Sequence, residues 1–429
     1  MEKQTSLTQP FRSRNFVLIW TGQTISSLGN AMYVVALAWS VYDLTGSPAD
    51  MSVVLILNMI PRLVLTLVGG ALADRLPRRS ILLVGDVAAG LLTLLLVVLV
   101  QGDGASFWLI ALASFGLGVV SAFFDPAYRS IYRNILPIEE QQAAVSVANA
   151  TINLTSIVGP ALSGVIFAVG GAGVCFGVNS LSFFLSALCT RFVAIPHQPV
   201  EIATTIWSDV RAGIGFVLRT RWLRTTLLLD MLANLVCIAP LNVLLPAIVK
   251  LSGGGSEFLG LAMGIQAAST ALSSLLVGKY GRYLPRGPAV YGLIAVAGLG
   301  VAMLAGGQRQ SWLIPLAALI IGLGFAFNTV AFTLIQEHAP ERYLSRVWGV
   351  ATVASLGLMP IGYAVTGVLA ELAGVPAVLL GGGGTLVVIT LVMAMISRWS
   401  LPGLPNYPTL ESEAAGEGVE GEAAAREFS

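Results

Sequence analysis

Apolar windows of about 20 residues recur twelve times along the 429-residue chain, each long enough to cross a bilayer at about 1.5 Å per residue. The pattern predicts spans near 16–42, 52–72, 81–101, 107–128, 142–169, 174–194, 223–249, 258–278, 288–305, 312–336, 344–370 and 377–397. The hydrocarbon core offers no water to exposed amides, so such segments span as helices. An all-α integral membrane protein is therefore expected. With 56% hydrophobic and 10% charged residues, against about 25% charged in an ordinary soluble domain, a soluble enzyme is excluded.

The basic residues set the expected orientation. With the N-terminus inside, twenty of the 23 Lys and Arg fall in inner segments, only Lys250 and Arg309 fall in outer loops, and Arg62 lies within a span. Both termini are thus expected on the cytoplasmic side of a cell membrane. Met1 to Arg14 leads into a run too long for a signal-peptide core, so the first span is expected to be kept. The chain divides into a six-helix bundle at 1–195, a cytoplasmic linker at 196–222, a second bundle at 223–399 and a Pro-, Gly- and Glu-rich tail at 400–429 expected to be disordered. In the linker, Ile206, Val210, Ile214 and Val217 recur at helical spacing, as in an amphipathic helix on the inner leaflet.

The two halves echo each other. Gly70 to Arg78 aligns with Gly278 to Arg286, Gly116-Leu117-Gly118 recurs as Gly322-Leu323-Gly324, and Gly159-Pro160 is echoed by Met359-Pro360. Two pseudo-symmetric six-helix bundles follow from that duplication.

Between the second and third spans runs Gly70-Ala71-Leu72-Ala73-Asp74-Arg75-Leu76-Pro77-Arg78-Arg79. It resembles the signature loop of the major facilitator superfamily, with Gly70, Leu72, Asp74, Arg75, Arg78 and Arg79 in matching places and Pro77 where glycine is usual. A carboxylate followed by three guanidinium groups can form charge-assisted hydrogen bonds that assemble in one conformation and part in another. Asp125 and Arg129, four apart near the inner end of span four, are expected to join them in one cytoplasmic gate network. The alternative is that the arginines only fix orientation.

Span five reads Gly159-Pro160-Ala161-Leu162-Ser163-Gly164, which looks like the antiporter motif of exporters in that family; close helix packing explains it nearly as well. Arg62, ten residues from each end of its predicted span, is expected to face a central cavity and pair there, either as a working group or as a structural ion pair. Gln23, Ser27, Asn30 and Tyr33 lie near one stripe of span one, and with Asn234 they are candidate cavity residues; a packing seam is the alternative. Asp230 and Asp86 are candidate proton-coupling carboxylates, Asp230 because a partly desolvated carboxylate is what coupling needs, though solvation at the inner interface competes.

Near-balanced charge, 23 basic against 22 acidic residues, gives no reason to expect a nucleic-acid partner. Cys175, Cys189 and Cys237 have no metal-like spacing, and no nucleotide-binding loop of the G-x-x-x-x-G-K-[ST] type appears, so neither metal nor cofactor is expected. Trp20-Thr21-Gly22-Gln23, Ser27-Leu28-Gly29-Asn30, Ile60-Pro61-Arg62 and Phe124-Asp125-Pro126-Ala127 look like the bacterial branch that includes macrolide-efflux and enterobactin-exporter proteins. The resemblance implies a monomeric secondary transporter that exports a bulky, partly apolar molecule in exchange for protons. A lysophospholipid, siderophore or metabolite transporter of the same fold, or a non-transporting scaffold, stays open.

Overall fold

The computed structural model describes residues 8–75, 77–102, 106–194, 214–281, 286–338 and 341–397; within them, side chains at 66–75, 133, 221, 286–287, 341–346, 352 and 396–397 are not described. Eleven helices among the described residues are long and apolar enough to span a membrane. One of them, Ile138–Arg191, runs for 54 residues and breaks at Gly171, whose φ of 71° only glycine adopts readily, so it supplies two spans. Twelve crossings result: α1 Arg14–Thr45, α2 Pro48–Arg75, α3 Arg78–Gln101, α4 Phe107–Ile135, α5 and α6 on either side of Gly171, α7 Trp222–Leu251, α8 Ser256–Tyr280, α9 Pro288–Gln308, α10 Leu313–His338, α11 Glu341–Ala373 and α12 Val375–Ser397.

Local chemistry sets the ends. The Ser13 hydroxyl accepts the Phe16 N–H and caps α1, and Gly46 closes it at φ 66°. The positive-φ glycines are Gly46, Gly171, Gly253 and Gly374. They occupy the α1–α2, α5–α6, α7–α8 and α11–α12 turns, so each tight turn of the first half has its counterpart in the second. The duplication suggested by short sequence echoes is thus visible in the turns.

Three spans are less regular than their apolar runs suggest. α7 passes through a π-helical turn at Asn234–Ile238 just before Pro240, which has no N–H to return to Val236. α10 loosens between Gly324 and Phe327, where Gly324 presses on the backbone of Ala297 in α9. α11 breaks at Leu358, between the limbs Glu341–Gly357 and Met359–Ala373, because Pro360 cannot continue the ladder. By contrast Pro61, Pro126 and Pro160 sit inside unbroken helices.

Within the first half α1 packs on α5 and α6, α2 on α4, and α3 on α4 and α6; the second half repeats this with α7 to α12. The repeated Gly-Leu-Gly segments meet the corresponding neighbours in exchanged order. Gly118 lies on the Asn58 carbonyl of α2 and Gly116 on Leu92 of α3, whereas Gly322 lies on α8 and Gly324 on α9. Asn58 Nδ2 also donates to the Ser114 carbonyl at 2.9 Å, fixing α2 to α4. A side chain at 118 has no room, so Gly118→Val is expected to destabilise the fold by about 1–3 kcal/mol. Gly292→Ala, which meets open space, is the control. Thermal melting of the detergent-solubilised protein checks the pair, and equal melting of the two variants would refute the close contact.

Candidate functional site

Midway along α2, Arg62 donates from Nη2 to Asp125 Oδ2 of α4 at 2.9 Å, with the two side chains 50% and 46% exposed. A guanidinium within a span is expensive, so a functional role is the default expectation for this pair. Arg62 also acts electrostatically on Tyr363 of α11, whose hydroxyl accepts from Asn242 Nδ2 of α7 at 3.2 Å. Four polar side chains, two from each half, therefore converge at one level.

Of the network expected at the inner end, the described side chains show Asp125 and Arg129 in different surroundings. Asp125 turns to Arg62, while Arg129 is exposed. The reason is geometric: Arg62 sits opposite Asp125 on a neighbouring helix, whereas Arg129 is one turn lower on the same one. Arg78 reaches the end of α4, donating to the Ser130 carbonyl at 3.0 Å and to Asn134 Oδ1, and Arg79 donates to the Arg191 carbonyl. Both guanidinium groups thus meet helix C-termini, where the backbone presents unpaired carbonyls. Gly70, Asp74 and Arg75 belong to α2, but their side chains lie outside the described residues.

In α7, Asp230 accepts a hydrogen bond from Ser355 of α11, and Asn234 donates to the Asp230 carbonyl at 2.8 Å. Asn234 is consequently buried at the start of the π-helical turn instead of facing the cavity. Tyr33 is likewise not a cavity residue: it is buried, with its ring 5.8 Å from that of Phe176 in α6. Asn30 is exposed and Ser27 half-buried. Gln23 donates to Ser186 Oγ at 3.0 Å, and Ser186 donates to Asp86 Oδ2 at 2.7 Å. Asp86 is buried where α3, α1 and α6 meet.

The two halves touch through glycines at one end of the bundle. Gly164 of α5 faces Gly260 of α8, and a Cβ on Gly260 would stand 2.6 Å from the Pro160 carbonyl oxygen and 2.7 Å from Gly164 Cα. Across the molecular pseudo-axis, a Cβ on Gly367 of α11 would stand 2.9 Å from Ala49 Cα of α2. Gly159 packs against Ala31 of α1, and Ser163 Oγ donates to the Met32 carbonyl at 2.8 Å. The Gly-Pro segment thus serves packing within its half through Gly159, and contact between halves through Gly164. At the same end Lys250 meets Asp43 at 2.6 Å and Ser47 donates to Glu371 at 2.6 Å, both across the halves. This end is shut, and the midspan polar groups lie beneath it. A separate cleft of about 550 Å³, lined by Ala161, Val165, Glu257, Phe258 and Leu261 among others, opens beside the α5–α8 contact.

Sequence reasoning missed Ser186, Asn242, Ser355 and Tyr363 because none carries a charge. For Ser186 a signal existed: Asn179, Ser182 and Ser186 put polar groups at three- and four-residue spacing in an otherwise apolar run.

Comparison with known proteins agrees with this architecture. The model of the Major Facilitator Superfamily matches residues 19–363. An uncharacterised transporter of that type, YfiS of Bacillus subtilis, is 29% identical, covering 88% of this chain and 92% of its own. The multidrug efflux pump Tap of Mycolicibacterium fortuitum is 28% identical over 91% of this chain and 98% of its own, and macrolide efflux protein A of Streptococcus pyogenes 23% over 89% and 96%. Among solved structures, a bacterial homologue of the iron transporter ferroportin superposes with a TM-score of 0.71 at 16% identity, covering 89% of this chain and 98% of its own. The D-xylose–proton symporter gives 0.68 at 14%, over 92% and 99%. The chain belongs to the Major Facilitator Superfamily, as a multi-pass membrane transporter related to bacterial efflux pumps.

Proposed function

We propose that the protein exports a bulky, partly apolar small molecule of the macrolide or drug type by alternating access, driven by protons moving inward. The observation that carries this reading is the half-exposed Arg62–Asp125 pair, met by Asn242 and Tyr363 of the other half, beneath an end shut by glycine contacts. With the basic loops inside, that end is external and the conformation is inward-facing. Few charges reach the cavity, which suits a neutral or mildly amphipathic substrate. Relatives named as multidrug and macrolide efflux proteins support the direction and substrate class. Proton coupling is supported by Asp86 and Asp230, each held in a span by hydroxyl groups, with no basic partner among the described residues.

The test is reconstitution in liposomes with erythromycin or ethidium, following movement with and without an imposed pH gradient. Gradient-driven accumulation at least several-fold above protein-free vesicles is expected. Movement that ignores the gradient would refute proton coupling. A second reading, movement of lysophospholipid, is favoured by the apolar cleft beside α5 and α8, and fluorescent lysolipid replaces the drug in that arm.

A further inference from the structure

Asp86 is 1% exposed, and its two carboxylate oxygens are treated differently. Oδ2 accepts from Ser186 of α6, whereas Oδ1 is buried and has no hydrogen-bond partner. A buried carboxylate oxygen left without a donor is expensive, and a protein that only needed packing here would place an asparagine or an apolar side chain. The residue is linked outward in one direction. Gln23 of α1, half-buried, donates to Ser186, so amide, hydroxyl and carboxylate form a chain of three.

That chain exists because α1 and α6 lie very close at this level. A Cβ on Gly22 would stand 3.1 Å from Cys189 Cβ and 3.2 Å from Ser186 Cα, which is what brings the next side chain, Gln23, onto Ser186. The titratable groups around Asp86 are few. α6 contributes the Cys189 thiol. On α3 itself Arg79 lies two turns away, held on the Arg191 carbonyl of α6. On α4 the Tyr128 ring stacks against Phe124, the residue that covers Gly85. From α1 the nearest charged residue along the chain is Arg14.

We infer that Asp86 carries the coupling proton and exchanges it with the cavity through Ser186 and Gln23. The inference rests on the proton-driven reading above and names its site. With Asp86 ionised, the Gln23 N–H points to Ser186 and the Ser186 O–H points to Asp86, which fits the separations of 3.0 Å and 2.7 Å. With Asp86 protonated, its O–H donates to Ser186 Oγ, the Ser186 O–H must turn outward, and the Gln23 amide must rotate to offer Oε1. Release runs the chain back: the Asp86 O–H bond breaks as its proton passes to Ser186 Oγ, and Ser186 gives up its own proton to water at Gln23. Serine ends as it began, one proton leaves, and a carboxylate remains. The ionised chain ties α1 to α3 and α6 by two donors aimed inward, while the protonated chain reverses both. α1 also reaches the second half, through Asp43 and Lys250, so its seating can follow the proton.

The test uses the full-length protein in liposomes, with ethidium or erythromycin as the probe and two assays. Gradient-driven accumulation requires the proton, whereas exchange of external for internal probe without a gradient does not. Asp86→Asn is expected to lose gradient-driven accumulation, by at least tenfold, while exchange stays within about twofold. Gln23→Leu, at a half-buried position with little risk to folding, should slow gradient-driven accumulation. Asp86→Glu should retain accumulation with a displaced pH profile. If the wild type accumulates probe and Asp86→Asn does so equally, the inference is overturned. Loss in Asp230→Asn alongside a wild-type response in Asp86→Asn would move the proton to α7 and overturn it equally. A wild type indifferent to the gradient would overturn the proton-driven reading itself, a result recognisable before any variant is made.

Discussion

Leucine in place of Gly260 is expected to open the shut end of the transporter and hold it open. Gly260 and Gly164 meet backbone to backbone, and the added Cβ alone would press on the Pro160 carbonyl and on Gly164 itself. No flexible side chain is there to give way, so the two halves must separate at that point. Overpacking of this kind costs about 1–3 kcal/mol. The cost falls only on the conformation in which α5 and α8 touch, which converts it into a shift of roughly 5- to 150-fold in the conformational equilibrium. Spin labels at Leu44 and Leu251, exposed near the tips of α1 and α7, would report a longer distance. Labels at Arg129 and Tyr280, toward the other end, would report a shorter one. Transport should fall because one of the two states is no longer reached, while expression and membrane insertion should remain. An unchanged distance distribution in Gly260→Leu would sink the idea that these glycines seal the end. Removing the Asp43–Lys250 pair should shift the same distances far less, since the contact is exposed and such pairs contribute about 0.2–1 kcal/mol.

The architecture was legible because a bilayer imposes length. Twelve apolar runs gave twelve crossings, and the break between the fifth and sixth needed only Gly170-Gly171 to be found. The irregular spans were harder. The π-helical turn of α7 and the break of α11 sit at Pro240 and Pro360, but Pro61, Pro126 and Pro160 leave their helices continuous, so proline alone does not locate a break; in α10 the irregular stretch follows the contact of Gly324 with α9, a partner the one-dimensional pattern does not carry. The same limit governs the site. Arg62 stood out because a guanidinium in mid-span demands a reason, but its carboxylate could not be chosen from Asp125, Asp86 and Asp230 without knowing which helices adjoin. Asp125 lay four residues from Arg129, a contact any helix permits, yet the tertiary neighbour won. Tyr33 shared a stripe with Gln23 and Ser27, and the stripe could not show that α6 lies along it, taking Tyr33 onto Phe176 and Gln23 onto Ser186. Residue type identified the members of the site, and helix adjacency assigned their roles.

Neutralising either member of the Arg62–Asp125 pair is expected to reduce transport much more than it reduces stability. In the conformation described both side chains are about half exposed, so the pair itself contributes at most about 1 kcal/mol to folding. Melting of Asp125→Asn or Arg62→Gln should therefore stay close to the wild type. Transport, however, requires the open end to close over this level and remove water from it. A charged side chain in mid-membrane costs about 2.5–3.5 kcal/mol, roughly a hundredfold in the population of the closed state, and an opposite charge beside it offsets part of that. Asp125→Asn removes the carboxylate that Arg62 meets here, so transport should fall, by up to about a hundredfold. Arg62→Gln removes the guanidinium that Asp125 meets and should lower transport as well. The variant carrying both substitutions has neither charge and should recover closure of the open end, read by the Arg129–Tyr280 label distance. Its affinity for substrate should remain low if Arg62 and Asp125 touch the cargo beside Asn242 and Tyr363. Recovery of closure and affinity together would reduce the pair to mutual neutralisation, and a double variant no better than the singles would show that closure does not depend on charge at this level.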